Sequence, residues 1–333
     1  MAKKENIPKA HHYVPQTYLR KFAFSKGKSF HVHVLDKNQT ENRKIFSSNT
    51  KNICQETHLY TLNTDKLDPA IVEKFFSKNI ESYYNEVQSI LTADSLQYIT
   101  PEIRAKIIEY VVIQLYRSPT WKNRHTSLMN RVLERMFQLA DYTGKDYFMF
   151  EDEKISIKGK TLEEVQKEWH SESKNGIIMT QLDVASRLTK LRLKTDSIMV
   201  SKIEDDKEFI TSDNPVIYSN LSTSRPMPFD PTNILQMPIS PKHLLMLMPY
   251  SAPEHHNLIV RKKCKGRESE IERLTANHSQ LKSSERFLIG TKSGLEKYLE
   301  TKEISERPLT EEEDKSIASR EDLFKMLKAK GLI

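Results

Sequence analysis

The chain has 333 residues and a formal net charge of +7 at pH 7, and only 8 of its residues are glycine. A chain of this length can bury a sizeable core, either in one large domain or in two of ordinary size. The few glycines form neither a Gly-x-Gly-x-x-Gly string nor a Walker-type Gly-Lys-Ser/Thr string, so the sequence gives no support for nucleotide binding through such loops.

The cysteines, Cys54 and Cys264, are far apart in the sequence and show no Cys-x-x-Cys spacing. The sequence also shows neither a secretory signal nor an apolar run long enough to cross a bilayer. These features predict a cytoplasmic protein with reduced thiols and no membrane association.

The first motif, at residues 12–22, follows a leader over 1–10 that we predict to be flexible and basic. After the motif's proline, the side chains of Tyr18, Leu19 and Phe22 recur at helical spacing. This spacing predicts a short helix with one buried face.

Strand periodicity over 30–34 and 43–47 predicts a hairpin, and a further strand is predicted over 58–62. Helical periodicity then dominates from about 68 to 195, with Asp-Pro and Thr-Pro pairs and a Thr-Leu-Glu-Glu capping box as start signals. The predicted helices cover about 69–87, 101–117, 121–139, 161–169 and 177–193.

Strand periodicity returns after the helical region. Segments 198–201 and 208–211 flank an acidic turn, which predicts a second hairpin. Segment 243–248 is apolar on both faces, which is typical of a central strand. A helix over about 268–283 and a strand over 286–290 follow.

This order of elements predicts one α+β unit, in which N-terminal and C-terminal strands form a mainly antiparallel sheet and about five helices are inserted between them. We expect a single domain over 11–297, with the insertion at about 68–195. Residues 298–333 are predicted to form peripheral charged helices, the first of them opened by a Thr-Glu-Glu-Glu capping box. Two domains that meet at a cleft are the alternative.

Four short segments carry a resemblance to a known family. They are His-Tyr-Val-Pro-Gln followed by Tyr-Leu-Arg-Lys-Phe within 12–22, Gln-Leu-Tyr-Arg-Ser-Pro at 114–119, Phe-Ile-Thr-Ser-Asp-Asn-Pro-Val at 209–216 and Pro-Ile-Ser-Pro at 238–241. In this order, over roughly the first 290 residues, they resemble the domain of unknown function family 4238. The resemblance implies no particular activity, because none is established for that family.

The segment Thr-Ser-Asp-Asn-Pro at 211–215 places hydroxyls, a carboxylate and an amide at the end of a predicted strand. Loops at strand ends commonly present binding groups, which favours Asp213 as a general base or metal ligand and Asn214 as an orienting donor. His12, in the extended segment before the first helix, completes the predicted catalytic centre. The alternative is structural, because Asp and Asn before proline form turns with their own backbone.

Arg117 closes a mostly apolar helix, where its guanidinium could clamp a phosphate or a carboxylate. Its alternative role is an interaction with the dipole at the end of that helix. Glu81 is expected to be solvated. The full predicted substrate-binding set is Tyr13, Gln16, Arg20, Gln114, Arg117, Ser212, Asn277 and Gln280.

Positive charge is concentrated in the leader and in a basic segment. The basic segment contains Arg261, Lys262, Lys263, Lys265 and Arg267. Such clusters can follow phosphates, which predicts a weak, salt-sensitive and sequence-independent association with nucleic acid. The alternative is a solvated tail and a solvated loop.

Two functions from different classes remain open. The first is a hydrolase or nuclease that acts on a phosphate-bearing or nucleic-acid substrate, with Arg20 and Arg117 as anion contacts and a divalent metal left open as a cofactor. The second is a non-enzymatic binding or interaction module whose signature residues are structural. The sequence does not indicate an oligomeric state.

Overall fold

The computed structural model of the chain describes residues 9–42, 44–150, 152–223, 225–249 and 256–306. It divides the chain into two compact units, 1–295 and 296–333. The fold is α+β with mainly antiparallel sheets, and the helical region lies between N-terminal and C-terminal strands, as predicted. The domain boundaries proposed from the sequence stay predictions, and most of the C-terminal helices expected over 298–333 lie outside the described residues.

The strands are short, and they belong to four sheets in the described part of the chain. Their bounds are β1 Ala10–His12, β2 Phe24–Lys26, β3 Ser29–Asp36, β4 Ile45–Asn49, β5 Gln55–Thr57, β6 Tyr147–Phe150, β7 Glu153–Ser156, β8 Asp196–Ile203, β9 Thr211–Ser212, β10 Ile217–Ser219, β11 Ile234–Ser240, β12 His243–Pro249, β13 Ile259–Cys264 and β14 Phe287–Gly290.

The longest helices lie between β5 and β8. The α-helices are α1 Gln16–Leu19, α2 Ile71–Phe75, α3 Tyr84–Thr92, α4 Pro101–Arg117, α5 Pro119–Tyr142, α6 Leu162–Thr195, α7 Arg267–Ser283 and α8 Lys292–Glu306. None of the described helices combines the length and the hydropathy that a membrane span requires.

One sheet joins the two ends of the fold. Its order is β2-β3-β14-β9, and β4 also pairs with β3, so the predicted N-terminal hairpin is confirmed. The C-terminal strand β14 lies between β3 and β9 with antiparallel pairing on both sides. Formation of this sheet therefore requires contacts between residues about 250 positions apart in the sequence.

A second sheet has the order β10-β11-β12-β8-β13. The apolar strand β12 lies in its middle, as its sequence predicted, with β11 and β8 on either side. The first part of the basic segment, which could have been a solvated loop, instead belongs to strand β13, which pairs in parallel with β8, while Lys265 and Arg267 follow the strand.

The predicted hairpin between 198–201 and 208–211 is wrong, because β8 and β9 belong to different sheets. The backbone before β9 is bound by other partners. The Ile210 N–H donates to Oδ1 of Asn277 at 2.9 Å, and the Phe209 N–H donates to the carbonyl of Pro241 at 2.8 Å. The side-chain amide of Asn277 thus takes the hydrogen bond that the predicted hairpin assigned to segment 198–201.

Three further expectations about elements are corrected. The predicted strand over 58–62 is absent from the described structure, which has β5 at Gln55–Thr57 instead. The predicted helices over 161–169 and 177–193 form the single helix α6, because Gly176 lowers helix stability by only about 1 kcal/mol relative to alanine and does not end a helix by itself. The first predicted helix is interrupted by a π-helical turn at Phe76–Ile80 and a 3-10 turn at Glu81–Tyr83.

Tyr18 connects the N-terminal motif to both large sheets. Tyr18 and Leu19 are completely buried and Phe22 is nearly so, as the helical spacing predicted. The Tyr18 hydroxyl lies within hydrogen-bond distance of the Thr211 hydroxyl on β9 and of the Pro238 carbonyl on β11. Three of the four family-like segments therefore meet at one phenol group.

Candidate functional site

Strand β1 places two histidines in different surroundings. His11 is completely buried, and its Nδ1 accepts a hydrogen bond from the backbone N–H of Tyr60, so the imidazole is neutral with its proton on Nε2. The Nε2 atom of His12 donates to the carbonyl of Lys51 at 3.2 Å. Burial lowers the pKa of His12, and the Lys51 carbonyl partly opposes this effect.

Arg117 ends α4 with only 2 % of its surface exposed. Its Nη1 lies 2.8 Å from Oε1 of Glu81, and the guanidinium carbon lies 4.5 Å from the centre of the Phe76 ring. Burial opposes the positive charge, but Glu81, Tyr60 and Glu73 together hold the pKa of Arg117 above its usual value. The guanidinium is therefore charged in a site that excludes water.

The expectation that Glu81 is solvated is wrong, because its side chain is 25 % exposed and forms an ion pair with Arg117. The π-helical turn Phe76–Ile80 comes directly before it. A π turn is wider than an α turn and changes the direction in which later side chains point. Helical periodicity alone could not reveal this change.

Glu73 is a second carboxyl group beside the same arginine. Its Oε2 lies 3.9 Å from Nδ1 of His11 and is buried without a hydrogen-bond partner among the described residues. Burial raises the pKa of Glu73 to about 7, although the charge of Arg117 opposes the rise. Glu73 therefore changes its protonation state near neutral pH.

A cavity of about 340 Å³ lies next to Arg117. Lys122, Lys174 and His170 also line this cavity, so most of its ionisable groups are basic. Burial lowers the pKa of Lys174, and the neighbouring charge of Lys122 lowers it further. Burial also lowers the pKa of His170, with smaller contributions from His125 and Lys122. We call this space the basic cavity.

The N-terminus of helix α5 lies at the basic cavity. Ser118 is the N-cap residue, but its hydroxyl donates to the carbonyl of Leu115 and does not cap the helix. Pro119 follows as the first helical residue. The first N–H groups of an α-helix have no acceptor within the helix, so this terminus presents donors and a partial positive charge.

A larger cavity of about 690 Å³ lies on the other side of this helix start. Ser118 lines both cavities. The larger one is also lined by the rings of Trp121, His125 and Tyr218 and by the side chain of Asn214. We call it the aromatic cavity.

Asp213, one of the predicted catalytic residues, is almost completely buried. Its Oδ1 accepts from the backbone N–H of Glu285, and its Oδ2 accepts from those of Arg286 and Phe287, all at 2.8 to 3.0 Å. Burial raises the pKa of Asp213, and these three donors work against the rise. In this structure the carboxylate holds the turn that begins β14.

The other polar residues of this segment bond to helix α7. Ser212 donates to Oε1 of Gln280 at 2.7 Å, and Gln280 donates to the carbonyl of Pro215 at 2.8 Å. Asn277 donates to the carbonyl of Glu208 at 3.1 Å. The sequence thus predicted a set of residues that do come together, and their contacts here are with one another and with the backbone.

The N-terminal motif separates into two environments. Tyr13 has its carbonyl bonded to Nε2 of Gln114 at 2.9 Å, and burial raises its pKa with a further contribution from Asp213. The charges that act on His12 are those of Glu81 and Arg117. The predicted partners His12 and Asp213 thus face different groups, and their joint catalytic role stays a prediction.

Gln16 and Arg20, the remaining predicted contacts, lie in or next to α1 and line neither of the two cavities. Arg20 is exposed, and its guanidinium carbon lies 5.0 Å from the centre of the Phe30 ring. Their predicted role in substrate binding therefore has no support from either cavity.

The cations of the basic segment have protein partners. Arg261 donates to the carbonyls of Ile90, Leu91 and Leu96, which end α3 and the loop after it. The ion pairs are Lys262 with Glu268 and Glu272, Lys263 with Glu204, and Lys265 with Glu204. Arg267 is exposed at the start of α7. Much of this positive charge is therefore neutralised within the fold.

No three His, Cys, Asp or Glu side chains come close enough to hold a metal ion within the described ranges.

Several site residues were missed by the sequence analysis, namely Tyr60, Glu73, Lys122, His170 and Lys174. They come from a loop and three helices that are distant in the sequence. One signal could have indicated part of the site. Arg117-Ser118-Pro119 ends one helix and starts the next without a linker, which places an arginine at a helix N-terminus.

Substitution of Asp213 by Asn tests whether this carboxylate supports the fold. At least one backbone N–H would then face an amide N–H instead of an oxygen, so the free energy of unfolding is expected to fall by about 1 to 3 kcal/mol. Urea unfolding measures this change. The matched control is Asp94→Asn, because Asp94 pairs with Lys202 at the surface, and it should change stability by less than about 0.5 kcal/mol. Equal stability of Asp213→Asn and the wild type would contradict the structural role.

Substitution of Glu73 by Gln tests the raised pKa of this carboxyl group. Since the pKa rises from 4.5 in the unfolded chain to about 7 in the fold, ionisation of Glu73 destabilises the wild type as the pH increases from 4.5 to 7. Relative to the wild type, Glu73→Gln should gain up to about 3 kcal/mol between pH 5 and pH 8.

Chemical unfolding at both pH values measures this gain. Glu86→Gln is the control, since the side chain of Glu86 is half exposed on α3, and it should change stability by less than about 0.5 kcal/mol at both pH values. A pH-independent difference for Glu73→Gln would rule out the raised pKa.

A family model matches residues 10–294 of the chain. The family is DUF4238, which is described as proteins of unknown function. The match includes both cavities and all four segments that resemble this family. No curated protein and no solved structure shows a significant match.

Proposed function

We propose that this chain, which belongs to the DUF4238 family, binds a phosphate-bearing anion in the basic cavity. The proposal rests on one observation, which is the set of unsatisfied donors of Arg117. Arg117 lines the cavity, its guanidinium is buried, and its Nε and Nη2 atoms have no hydrogen-bond partner within the described residues. Buried donors without acceptors are rare in folded proteins and indicate a missing ligand or water.

A second buried arginine shows what a purely structural guanidinium looks like in this chain. Arg192 is completely buried, and its Nη1 lies 3.2 Å from Oδ1 of Asp196 and donates to the Asn233 carbonyl at 2.7 Å. Its Nη2 donates to the carbonyl of Asp230 at 3.3 Å. Within the described residues Arg192 leaves only Nε without a partner, whereas Arg117 has Glu81 alone as an acceptor, which supports a ligand as its further partner.

The surroundings of Arg117 favour an anion as this ligand. Helix α5 begins at the cavity with Ser118 and Pro119, and the N-terminus of a helix carries a partial positive charge. Lys122 pairs with Glu56 at 2.7 Å, but it still lowers the pKa of Lys174, so the two ammonium groups repel each other. A phosphate group between them would remove this repulsion and would accept two parallel bonds from a guanidinium.

Weak nucleic-acid association through the leader and the basic segment stays a separate prediction, because residues 1–8 of the leader lie outside the described residues. Lys262, Lys263 and Lys265 already form ion pairs with carboxylates, so the basic segment has less free positive charge for binding phosphates. As a phosphate site it is therefore less well supported than the basic cavity. A cytoplasmic location also stays a prediction from the sequence.

Isothermal titration with inorganic phosphate tests the proposed site. Lys122→Gln and Lys174→Gln should each raise the Kd by about tenfold, because a hydrogen bond to a charged group contributes about 1.5 kcal/mol. Lys106→Gln is the matched control, since Lys106 is a partly exposed lysine on α4 that pairs with Glu86 and lines neither cavity, and it should leave the Kd unchanged. Absence of phosphate binding by the wild type, or equal effects of all three variants, would reject the proposal.

Hydrolysis of a phosphate ester is the second candidate function, and Glu73 favours it. Glu73 does not line the basic cavity in this structure, but a carboxyl group with a pKa of about 7 that interacts electrostatically with Arg117 is suited to donate a proton to the leaving oxygen while water attacks the phosphorus. The test is turnover of p-nitrophenyl phosphate below pH 7, where Glu73 is mostly protonated. Glu73→Gln should lower the rate at least about a hundredfold and keep the phosphate Kd of the wild type at that pH. Phosphate binding without turnover by the wild type would leave binding as the function.

A further inference from the structure

We infer that the ligand carries a planar aromatic ring beside its phosphate, as a mononucleotide does, and that this ring occupies the aromatic cavity. The inference rests on the proposed binding of a phosphate group in the basic cavity. Ser118 lines both cavities, and its neighbours Pro119 and Thr120 each line one of them. We therefore place the phosphate at the start of α5 and the ring beyond Ser118, in the larger space.

The aromatic cavity offers flat surfaces for a ring. Trp121 and His125 stand one helical turn apart, and their rings stack on each other with an angle of 3° and centres 5.5 Å apart, while Trp169 stacks on His125 with centres 6.4 Å apart. The face of Trp121 that is turned away from His125 is therefore the one assigned to the ligand ring. Tyr218 on β10 lines the same space, and its hydroxyl lies 3.4 Å from Nη1 of Arg124. Stacking on aromatic side chains and arginine is a common way to bind bases, because every base has a π face.

Two buried polar atoms in the wall of this cavity indicate a ring with polar edges. Oδ1 of Asn214 and Oγ1 of Thr120 have no hydrogen-bond partner within the described chain. The amide orientation of Asn214 is fixed, because Nδ2 donates to the Ser283 carbonyl at 3.0 Å and an oxygen there would repel it. Oδ1 therefore needs a donor from the ligand, such as the amino group or the ring N–H of a base.

The two cavities together also match this class of ligand in size. Their volumes, about 340 and 690 Å³, lie in the range of small-molecule sites. A purely apolar ligand would leave Asn214 and Thr120 without partners, at a cost for each buried polar atom. A nucleoside monophosphate combines a phosphate group with a flat ring whose edge carries hydrogen-bond donors. The 5′-phosphorylated end of a nucleic-acid strand has the same groups.

The first experiment compares Kd values for inorganic phosphate, the four ribonucleoside monophosphates and their nucleosides by titration of the full chain. At least one monophosphate should bind about tenfold or more tightly than phosphate, since stacking of one base contributes at least about 1.4 kcal/mol when it is favourable. Phosphate binding without this gain would overturn the ring site and leave the proposed function intact. Absence of binding by phosphate and by all monophosphates would overturn both.

The second experiment places the ring. The chain has 2 tryptophans, so Trp169→Phe leaves Trp121 as its only indole. Trp169 stacks on His125 but lines neither cavity, so its replacement removes the second indole signal without changing the lining of either cavity. In this variant, a monophosphate should change the fluorescence of Trp121 by at least a fifth at saturation, and phosphate should not. Monophosphate binding without a fluorescence change would overturn the assignment to the aromatic cavity.

A third arm separates the two sources of the ligand. A 5′-phosphorylated tetranucleotide that binds more tightly than the best monophosphate supports a strand end as the natural ligand. Equal or weaker binding of the tetranucleotide supports a free mononucleotide. An unphosphorylated tetranucleotide that binds as tightly as the phosphorylated one would overturn recognition of the phosphate in the basic cavity.

Discussion

The burial of Arg117 with a single ion-pair partner is the constraint that shapes the centre of this structure. Removal of a charged group from water costs several kcal/mol, and one ion pair with Glu81 offsets this cost only in part. The chain adds the ring of Phe76 and the hydroxyl of Tyr60, which donates to the Arg117 carbonyl and fixes the helix end. The guanidinium nevertheless keeps donors without acceptors within the described residues, and the proposed anion site rests on these donors.

Three of the four segments that resemble the family have a different role, while the fourth, at 114–119, contains Arg117 itself. Tyr18, Thr211 and Pro238 meet through the phenol hydroxyl, while Asp213 and Gln280 are bonded to backbone groups of neighbouring elements. Most hydrogen-bonding groups of these residues join the sheets and helix α7. Oδ1 of Asn214 is an exception, because it has no hydrogen-bond partner within the described residues.

The sequence predicts those parts of the fold that local periodicity and capping determine. Helix α4 begins where Thr100 and Pro101 indicate, because the Thr100 hydroxyl accepts from the N–H of Ile103. The separation of β8 from β9 depends on Asn277, which lies more than 60 residues further along the chain, and no local pattern contains that information. For the site, the helix end indicated Arg117, whereas Glu73 and Lys174 reach it only through tertiary packing.

The protonation states around Arg117 bear on how an anion would bind. Ionised Glu73 would compete with a phosphate group for the guanidinium, and its raised pKa keeps this competition weak below neutral pH. Burial lowers the pKa values of His170 and Lys174, and an anion in the cavity would raise both again. An anion would therefore favour the protonated form of all three groups. If the basic cavity binds an anion, the binding is coupled to proton uptake by these charges.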